Sequence, residues 1–273
     1  MARQPFELQG ALVLITGAGS GIGKASALAF ADAGAPVVAV DLDEAAAEKT
    51  AAEVAERGVK AAAFGCDVSD WEAVSELAKR VAAEQGPLDV LVNNAGVGMS
   101  GRFDAMSIDD WRWIRSVNLD GVVHGCRAFG PSLVARGRGH VVNLSSGLGY
   151  TPTATEPAYV TTKAAVLALS QCLRADWRAS GVGVSAICPG VINTPIIDKT
   201  RFLGEQATSD RVTKAKKAFR RGHPPERVAA AIVEAVRWNR AVVPVGFEAK
   251  LGWWLHRYAP IAVQQVVARA AAR

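Results

Sequence analysis

The sequence predicts an α/β fold: a doubly wound parallel sheet of the Rossmann type, about seven strands wide, with helices on both faces. Three observations predict it. Apolar runs rich in Val, Ile and Leu recur along the chain with helical stretches between them. These runs are apolar throughout rather than alternating, as parallel strands buried on both faces require. The first run also ends in a glycine-rich turn, Thr16-Gly17-Ala18-Gly19-Ser20-Gly21-Ile22-Gly23, that leads straight into a helix. A repeated βα alternation of this kind builds a sheet covered on both sides.

The first strand is expected over Ala11–Thr16 and its helix over Gly21–Ala33. Glycines at the junction let the backbone turn tightly and approach a pyrophosphate, while the helix N-terminus offers unpaired N–H groups. The spacing is not G-x-G-x-x-G, because Ile22 stands sixth from Gly17. The second strand, Pro36–Asp41, ends in an acid 18 residues after Gly23. A carboxylate there accepts hydrogen bonds from ribose hydroxyls and repels a 2′-phosphate. Ser20 and Leu42 supply no cation to hold such a phosphate, so NAD is favoured over NADP. The competing reading makes Asp41 a helix cap, a task for which Asp43 serves equally well.

Further strands are expected over Lys60–Cys66, Leu88–Val92, His140–Leu144, Gly183–Cys188 and Ala241–Val245, with helices over Glu44–Arg57, Trp71–Gln85 and Tyr159–Ala179. In Tyr159-Val160-Thr161-Thr162-Lys163, Tyr and Lys at i and i+4 share a helix face, so the ammonium can lie near the phenol. Bringing a tyrosine from a pKa of ~10 to near neutrality takes roughly 4 kcal/mol of differential stabilisation. A neighbouring cation can contribute much of this.

The 273 residues, half of them hydrophobic and 21% charged, suffice for one large core and exclude disordered or collagen-like chains. One domain over 1–247 is expected, with a substrate lid at about 193–222 and a C-terminal amphipathic extension over 248–273. The four cysteines (Cys66, Cys126, Cys172, Cys188) and four histidines are scattered, so neither a disulfide framework nor a metal site is expected. The N-terminus has no apolar signal region, and the uncharged stretch Gly181–Ile197 is interrupted by Pro and Gly; a cytoplasmic protein is expected. The net charge of +5 is local. Between Arg211 and Arg227 seven basic residues face Glu226 alone, which leaves the rest of the chain near neutrality. A solvated helix face is the plain reading. Attraction of an anionic substrate tail or an acidic surface is the alternative, and no groove-reading motif points to nucleic acid.

Several motifs then agree in order and spacing: the T-G-x-x-x-G-x-G turn at Thr16–Gly23, Asp67 after the third strand, Asn93-Asn94-Ala95-Gly96, Asn118 in Val117-Asn118-Leu119, Ser146, Tyr159/Lys163, and Pro189-Gly190-Val191-Ile192-Asn193-Thr194. With these the sequence resembles the single-domain branch of the short-chain dehydrogenase/reductase family from about Leu8 to Val245. The resemblance implies an acid/base at Tyr159, with Lys163 lowering its pKa and holding the nicotinamide ribose. It further implies Ser146 on the substrate oxygen, ahead of its neighbour Ser145, and Asn118 anchoring a water in a proton relay. For the cofactor, NAD, it implies Gly17, Ser20, Gly21, Ile22 and Gly23 around the phosphates, and Asp41 with Leu42 at the adenosine ribose. Asp67 and Val68 flank adenine in that scheme; Asp67 alone reads equally well as a helix cap. Asn94, Ala95 and Gly96 lie on the adjoining side, and Pro189, Gly190, Ile192 and Thr194 sit at the carboxamide.

The implied activity is hydride transfer between NAD and a secondary alcohol or ketone. Gly147, Leu148, Gly149, Tyr150 and Pro152, with Val97, Met99, Ile196 and Ile197 opposite, are expected to line a mostly apolar pocket, so a lipophilic substrate is expected. Other readings are a non-catalytic dinucleotide sensor or scaffold, and an NAD-using epimerase or dehydratase. The extension carries Trp253, Trp254, Leu255 and Tyr258, then Ile261, Val263, Val266 and Val267 with Arg257, Arg269 and Arg273. It reads as a cover for the substrate mouth or a subunit contact, with peripheral membrane contact as the alternative. A homodimer or homotetramer, paired through helices at Gly121–Ala135 and Tyr159–Ala179, is the assembly that the resemblance implies.

Overall fold

The protein is described over residues 4–260 by a computed structural model. Its strands are β1 (Val13–Thr16), β2 (Val37–Asp41), β3 (Ala61–Gly65), β4 (Val90–Asn93), β5 (Met99–Ser100), β6 (Gly139–Leu144), β7 (Val182–Pro189), β8 (Arg201–Phe202) and β9 (Val242–Val245). Seven of them form one parallel sheet in the order β3-β2-β1-β4-β6-β7-β9. All seven expected runs are in it, with ends moved by one or two residues. β1 starts late because the Leu12 N–H goes to the Asp89 carboxylate, 3.1 Å away.

The helices are α1 (Gly21–Asp32), α2 (Glu44–Ala55), α3 (Trp71–Glu84), α4 (Ile108–Arg115), α5 (Gly121–Arg136), α6 (Pro157–Asp176), α7 (Ser209–Arg220), α8 (Pro225–Arg237) and α9 (Phe247–Tyr258). Residues in the strands alternate between two cores. Val13, Ile15, Val37 and Ala39 pack with Phe30 of α1 and Ile232 of α8. Leu14, Val38 and Val40 pack with Leu77 of α3, Phe129 of α5 and Val166 of α6. Both faces are thus covered, which is why β1, β4, β6 and β7 are buried along their whole length.

From β1 the chain works outward to β3, then crosses back to β4. The ends of β1 and β4 therefore diverge and open a crevice at the point where strand order reverses. Residues 193–222 leave the sheet and return: Ile192 and His223 form a parallel bridge at the base of the excursion. Within it β8 pairs with β5, and α7 exposes its basic residues with no buried side chain. Lys214–Asp210 and Lys216–Asp198 ion pairs, at 2.7 and 2.8 Å, offset part of that charge.

α9 lies across the turn that follows β6. Ala249 and Gly252 are buried, Tyr150 Oη donates to the Ala249 carbonyl at 2.8 Å, and Trp253 meets Tyr150 edge-on. Ile261, Val263, Val266, Val267, Arg269 and Arg273 of the predicted extension, like Met1–Arg3, lie outside the described residues. Among the described residues no helix is long and apolar enough to cross a membrane.

Candidate active site

A cleft of about 790 Å³ opens at the divergence of β1 and β4. Its floor is the glycine turn. Gly17 and Gly21 have φ of +64° and +54°, which side chains resist. Asn94, at the end of β4, donates its Nδ2 to the carbonyls of Thr16 (2.8 Å) and Gly17 (3.1 Å), tying the two strand ends together. Its amide is therefore committed to the turn.

Asp41 ends β2 beside this floor. Its Oδ2 accepts from the Gly19 N–H at 2.8 Å and its Oδ1 from Asp43 N at 3.1 Å. The cap of α2 is Asp43, which accepts from Ala46 N, so Asp41 faces the cleft. A similar division follows β3: Asp70 caps α3, while Asp67 accepts from Ser69 N and Oγ and lines the cleft. The cleft wall near these acids holds Leu42, Cys66, Val68 and Ser69 and no Lys or Arg. Burial and the nearby Asp67 and Asp70 carboxylates push the Cys66 thiol up to about 11. All four cysteines are free.

On the opposite wall β6 delivers Ser145 and Ser146, and α6 delivers Tyr159 and Lys163. Pro157 at the first position of α6 starts the helix early enough to place Tyr159 in its first turn. Ser145 Oγ donates to the Lys163 carbonyl at 2.7 Å and has a structural task. Ser146 Oγ accepts from Leu148 N and lies close enough to the Tyr159 phenol to favour its ionised form. Lys163 is buried, with Nζ donating to the Leu144 carbonyl at 2.9 Å and lying 5.8 Å from the centre of the Tyr159 ring.

The electrostatics differ from the sequence expectation. Burial pushes the Tyr159 phenol above its ordinary value; the Ser146 hydroxyl opposes this and the Glu156 carboxylate adds to it. Burial brings Lys163 itself down to about 8, and its Nζ serves the Leu144 carbonyl.

Asn118 is fully buried on a single widened turn, Ser116–Asp120, between α4 and α5. Its Oδ1 accepts from Val97 N at 2.8 Å and its Nδ2 donates to Val97 O at 2.9 Å, so its side chain pins the loop after β4. Such π-type turns recur at functional sites.

Of the residues singled out from the sequence, Gly23 and Asn118 stand behind the cleft wall, and the others named for cofactor or catalysis line it. Val97, Met99, Ile196, Ile197, Gly147 and Leu148 also line it, whereas Gly149, Tyr150 and Pro152 do not. Tyr150 is turned away, since its ring is buried beneath α9. Sequence reasoning missed Trp113, Glu156, Phe202 and Phe219, all in the lining. The Ser107/Asp110 capping box that starts α4 was a usable signal for Trp113. For Glu156 no local signal exists.

Comparison with known proteins gives a consistent picture. The short chain dehydrogenase family profile matches residues 11–202. The chain is 47% identical over 259 residues to "Probable oxidoreductase EphD" of Mycobacterium tuberculosis, covering 93% of this chain but only 44% of that relative's length. It is 37% identical over 228 residues to the D-threitol dehydrogenase of Mycolicibacterium smegmatis, covering 83% of this chain and 86% of the relative. Among solved structures, a short-chain dehydrogenase/reductase from Burkholderia phymatum in complex with NAD superimposes with a TM-score of 0.81 at 30% identity, over 95% of this chain and 93% of the other.

Proposed function

The chain belongs to the short-chain dehydrogenase family, and on that premise we propose that it is an NAD-dependent oxidoreductase acting on a secondary alcohol or ketone with a lipophilic body. The observation that carries this is the placing of Ser146, Tyr159 and Lys163 on one wall of the cleft whose floor is the glycine turn.

The floor suits a dinucleotide. A Cβ on Gly19 would meet Asp41 Oδ2 at 2.9 Å, and one on Gly21 would meet Thr194 at 3.2 Å, so the turn leaves space only for backbone to approach a phosphate. Gly17, Ser20, Gly21 and Ile22 would hold the pyrophosphate, with Gly23 packed behind them. Asp41 and Leu42 would meet the ribose, Asp67 and Val68 the adenine, and Asn94, Ala95 and Gly96 the adjoining side. Pro189, Gly190, Ile192 and Thr194 would orient the carboxamide. Oxidised nicotinamide, when bound, would supply the hydride acceptor and a positive charge. Tyr159 takes the carbinol proton, and Ser146 orients the substrate oxygen. Lys163 holds the ribose. Because the Asn118 amide is spent on Val97, any water it anchors must use its main-chain carbonyl. The excursion over 193–222, which places Ile196, Ile197, Phe202 and Phe219 on the cleft, serves as the lid. Assembly through α5 and α6 belongs to the same reading.

NADH formation across secondary alcohols of increasing chain length tests the proposal. Turnover rising with chain length supports it; none across the panel, with NAD bound, would overturn it.

Two further results are expected. Exchanging Asp41→Ser together with Leu42→Arg removes the charge that repels a 2′-phosphate and adds one that holds it. Leu42 is 75% exposed, so the arginine has room. The NADP/NAD ratio of kcat/KM should rise by about tenfold or more, which corresponds to ~1.4 kcal/mol; an unchanged ratio would remove Asp41 from the ribose site.

The second concerns Lys163, whose folded pKa of about 8 lies below its ordinary 10.5. Between these values the unfolded chain binds more protons at this group, so its burial lowers stability below pH 8 and the penalty fades as pH rises through 10.5. Lys163→Met should therefore melt no lower than wild type at pH 7, with its relative advantage shrinking toward pH 10, while losing turnover. A Tm well below wild type at pH 7 would contradict this.

A further inference from the structure

Glu156 has no task in the mechanism above, yet its side chain reaches the cleft. It stands one residue before α6 and three before Tyr159, and its carboxylate does not cap the helix. Hydroxyls gather it instead. Oε1 accepts from Ser100 Oγ of β5 at 3.1 Å, and Oε2 accepts from Thr155 Oγ1 at 2.8 Å and from Thr153 Oγ1. No Lys or Arg among the described residues pairs with it.

Apolar residues adjoin the segments that hold it. Met99, Ala158, Val97, Trp113 and Tyr159 form one cluster around the neighbouring segments. A carboxylate in such a wall is costly unless its acceptor positions are used. An ionised carboxylate offers about four such positions, two on each oxygen. Oε2 has two donors, whereas Oε1 has one. The three hydroxyls fix the group in place and leave an acceptor position of Oε1 unused by the protein.

We propose that Glu156 is a specificity-determining residue whose Oε1 accepts a hydrogen bond from a second hydroxyl of the substrate, so that the enzyme takes diols with an apolar body in preference to simple alcohols. This rests on the reading of Tyr159 as acid/base at the same cleft. Ser100, Thr153 and Thr155 are positioning residues: they hold the carboxylate but do not meet the substrate. Because the reacting carbinol must sit at Tyr159 and the second hydroxyl at Glu156, the two hydroxyls are close neighbours on one chain.

The test is calorimetric binding of 2-octanol, 2,3-octanediol and 3-amino-2-octanol to NADH-loaded protein, which cannot oxidise them. The diol should bind about tenfold or more tighter than the mono-alcohol, as expected for a hydrogen bond to a charged group. Glu156→Leu should bring that ratio to about one. Glu156→Gln, whose Oε1 still accepts, should keep part of it. Equal affinities in wild type, or a diol preference that survives Glu156→Leu, would overturn the assignment. Tighter binding of the amine than of the diol would also overturn it, by making the site a cation site. Should Glu156→Leu fail to fold, the wild-type and Glu156→Gln ratios still decide. Absent turnover with the diol preference intact would overturn the acid/base reading and leave Glu156 standing.

Discussion

Tyr159→Phe should lower turnover by about 10²–10⁴-fold while leaving NAD affinity and Tm near wild type. That range is the usual contribution of a positioned general acid or base. The substitution removes one oxygen from a ring that packs against Met99 and Ala158, so the cluster keeps its shape. What is lost is the hydroxyl that meets Ser146. The direction of the pKa matters for the size of the effect. Burial holds the phenol above its ordinary value in the structure, so oxidation needs positive charge brought beside it. NADH formation, paired with calorimetric NAD binding, checks this. Turnover equal to wild type would overturn the catalytic assignment, and loss of NAD binding in parallel would mean that the substitution had disturbed the cleft.

Gly23→Ala should be the most damaging of the small substitutions in the cofactor cradle. A Cβ there would stand 2.0 Å from the Gly17 carbonyl oxygen and 2.6 Å from Asn94 Nδ2. Both neighbours belong to the strap that joins the ends of β1 and β4, so relief requires the backbone of the turn to move. Overpacking against fixed atoms costs about 3 kcal/mol or more at the upper end of the observed range. For a chain of this size that corresponds to a Tm lower by roughly 6–12 °C. NAD affinity should fall with it, because the displaced turn is the one that approaches the pyrophosphate. Gly58→Ala is the control. Its φ is +80° but nothing lies within 4 Å of the added Cβ, so only backbone strain of about 1–2 kcal/mol is expected. Thermal melts of the two variants side by side give the comparison; equal losses would mean that steric contact at Gly23 is not the cause.

Much of this molecule is legible in the amino-acid sequence. The central strands β1, β4, β6 and β7 could be read because a strand buried on both faces is apolar along its whole length, and that signal is local; β3 and β9, half-buried at the sheet edges, were legible from their apolar composition. The glycine turn and the Tyr159/Lys163 pair were legible for the same reason: each is a short segment whose spacing alone determines which backbone or helix face it uses. β5 and β8 were invisible, since two residues carry no period and each strand exists only because the other lies beside it.

Other decisions also belonged to tertiary structure. Sequence offered Asp41 and Asp43 as equal caps, and placed Ser146 ahead of Ser145 at the substrate oxygen only through the family resemblance. The fold separated them by supplying Gly19 N–H to one acid, Ala46 N–H to the other, and the Lys163 carbonyl to Ser145. It also reversed the expected direction of the Tyr159 phenol and placed Glu156 on the cleft wall. The physical reason is common to all of these. Propensity and periodicity act between residues a few positions apart, whereas burial and hydrogen-bond partnership are set by segments tens of residues away that meet only when the sheet closes.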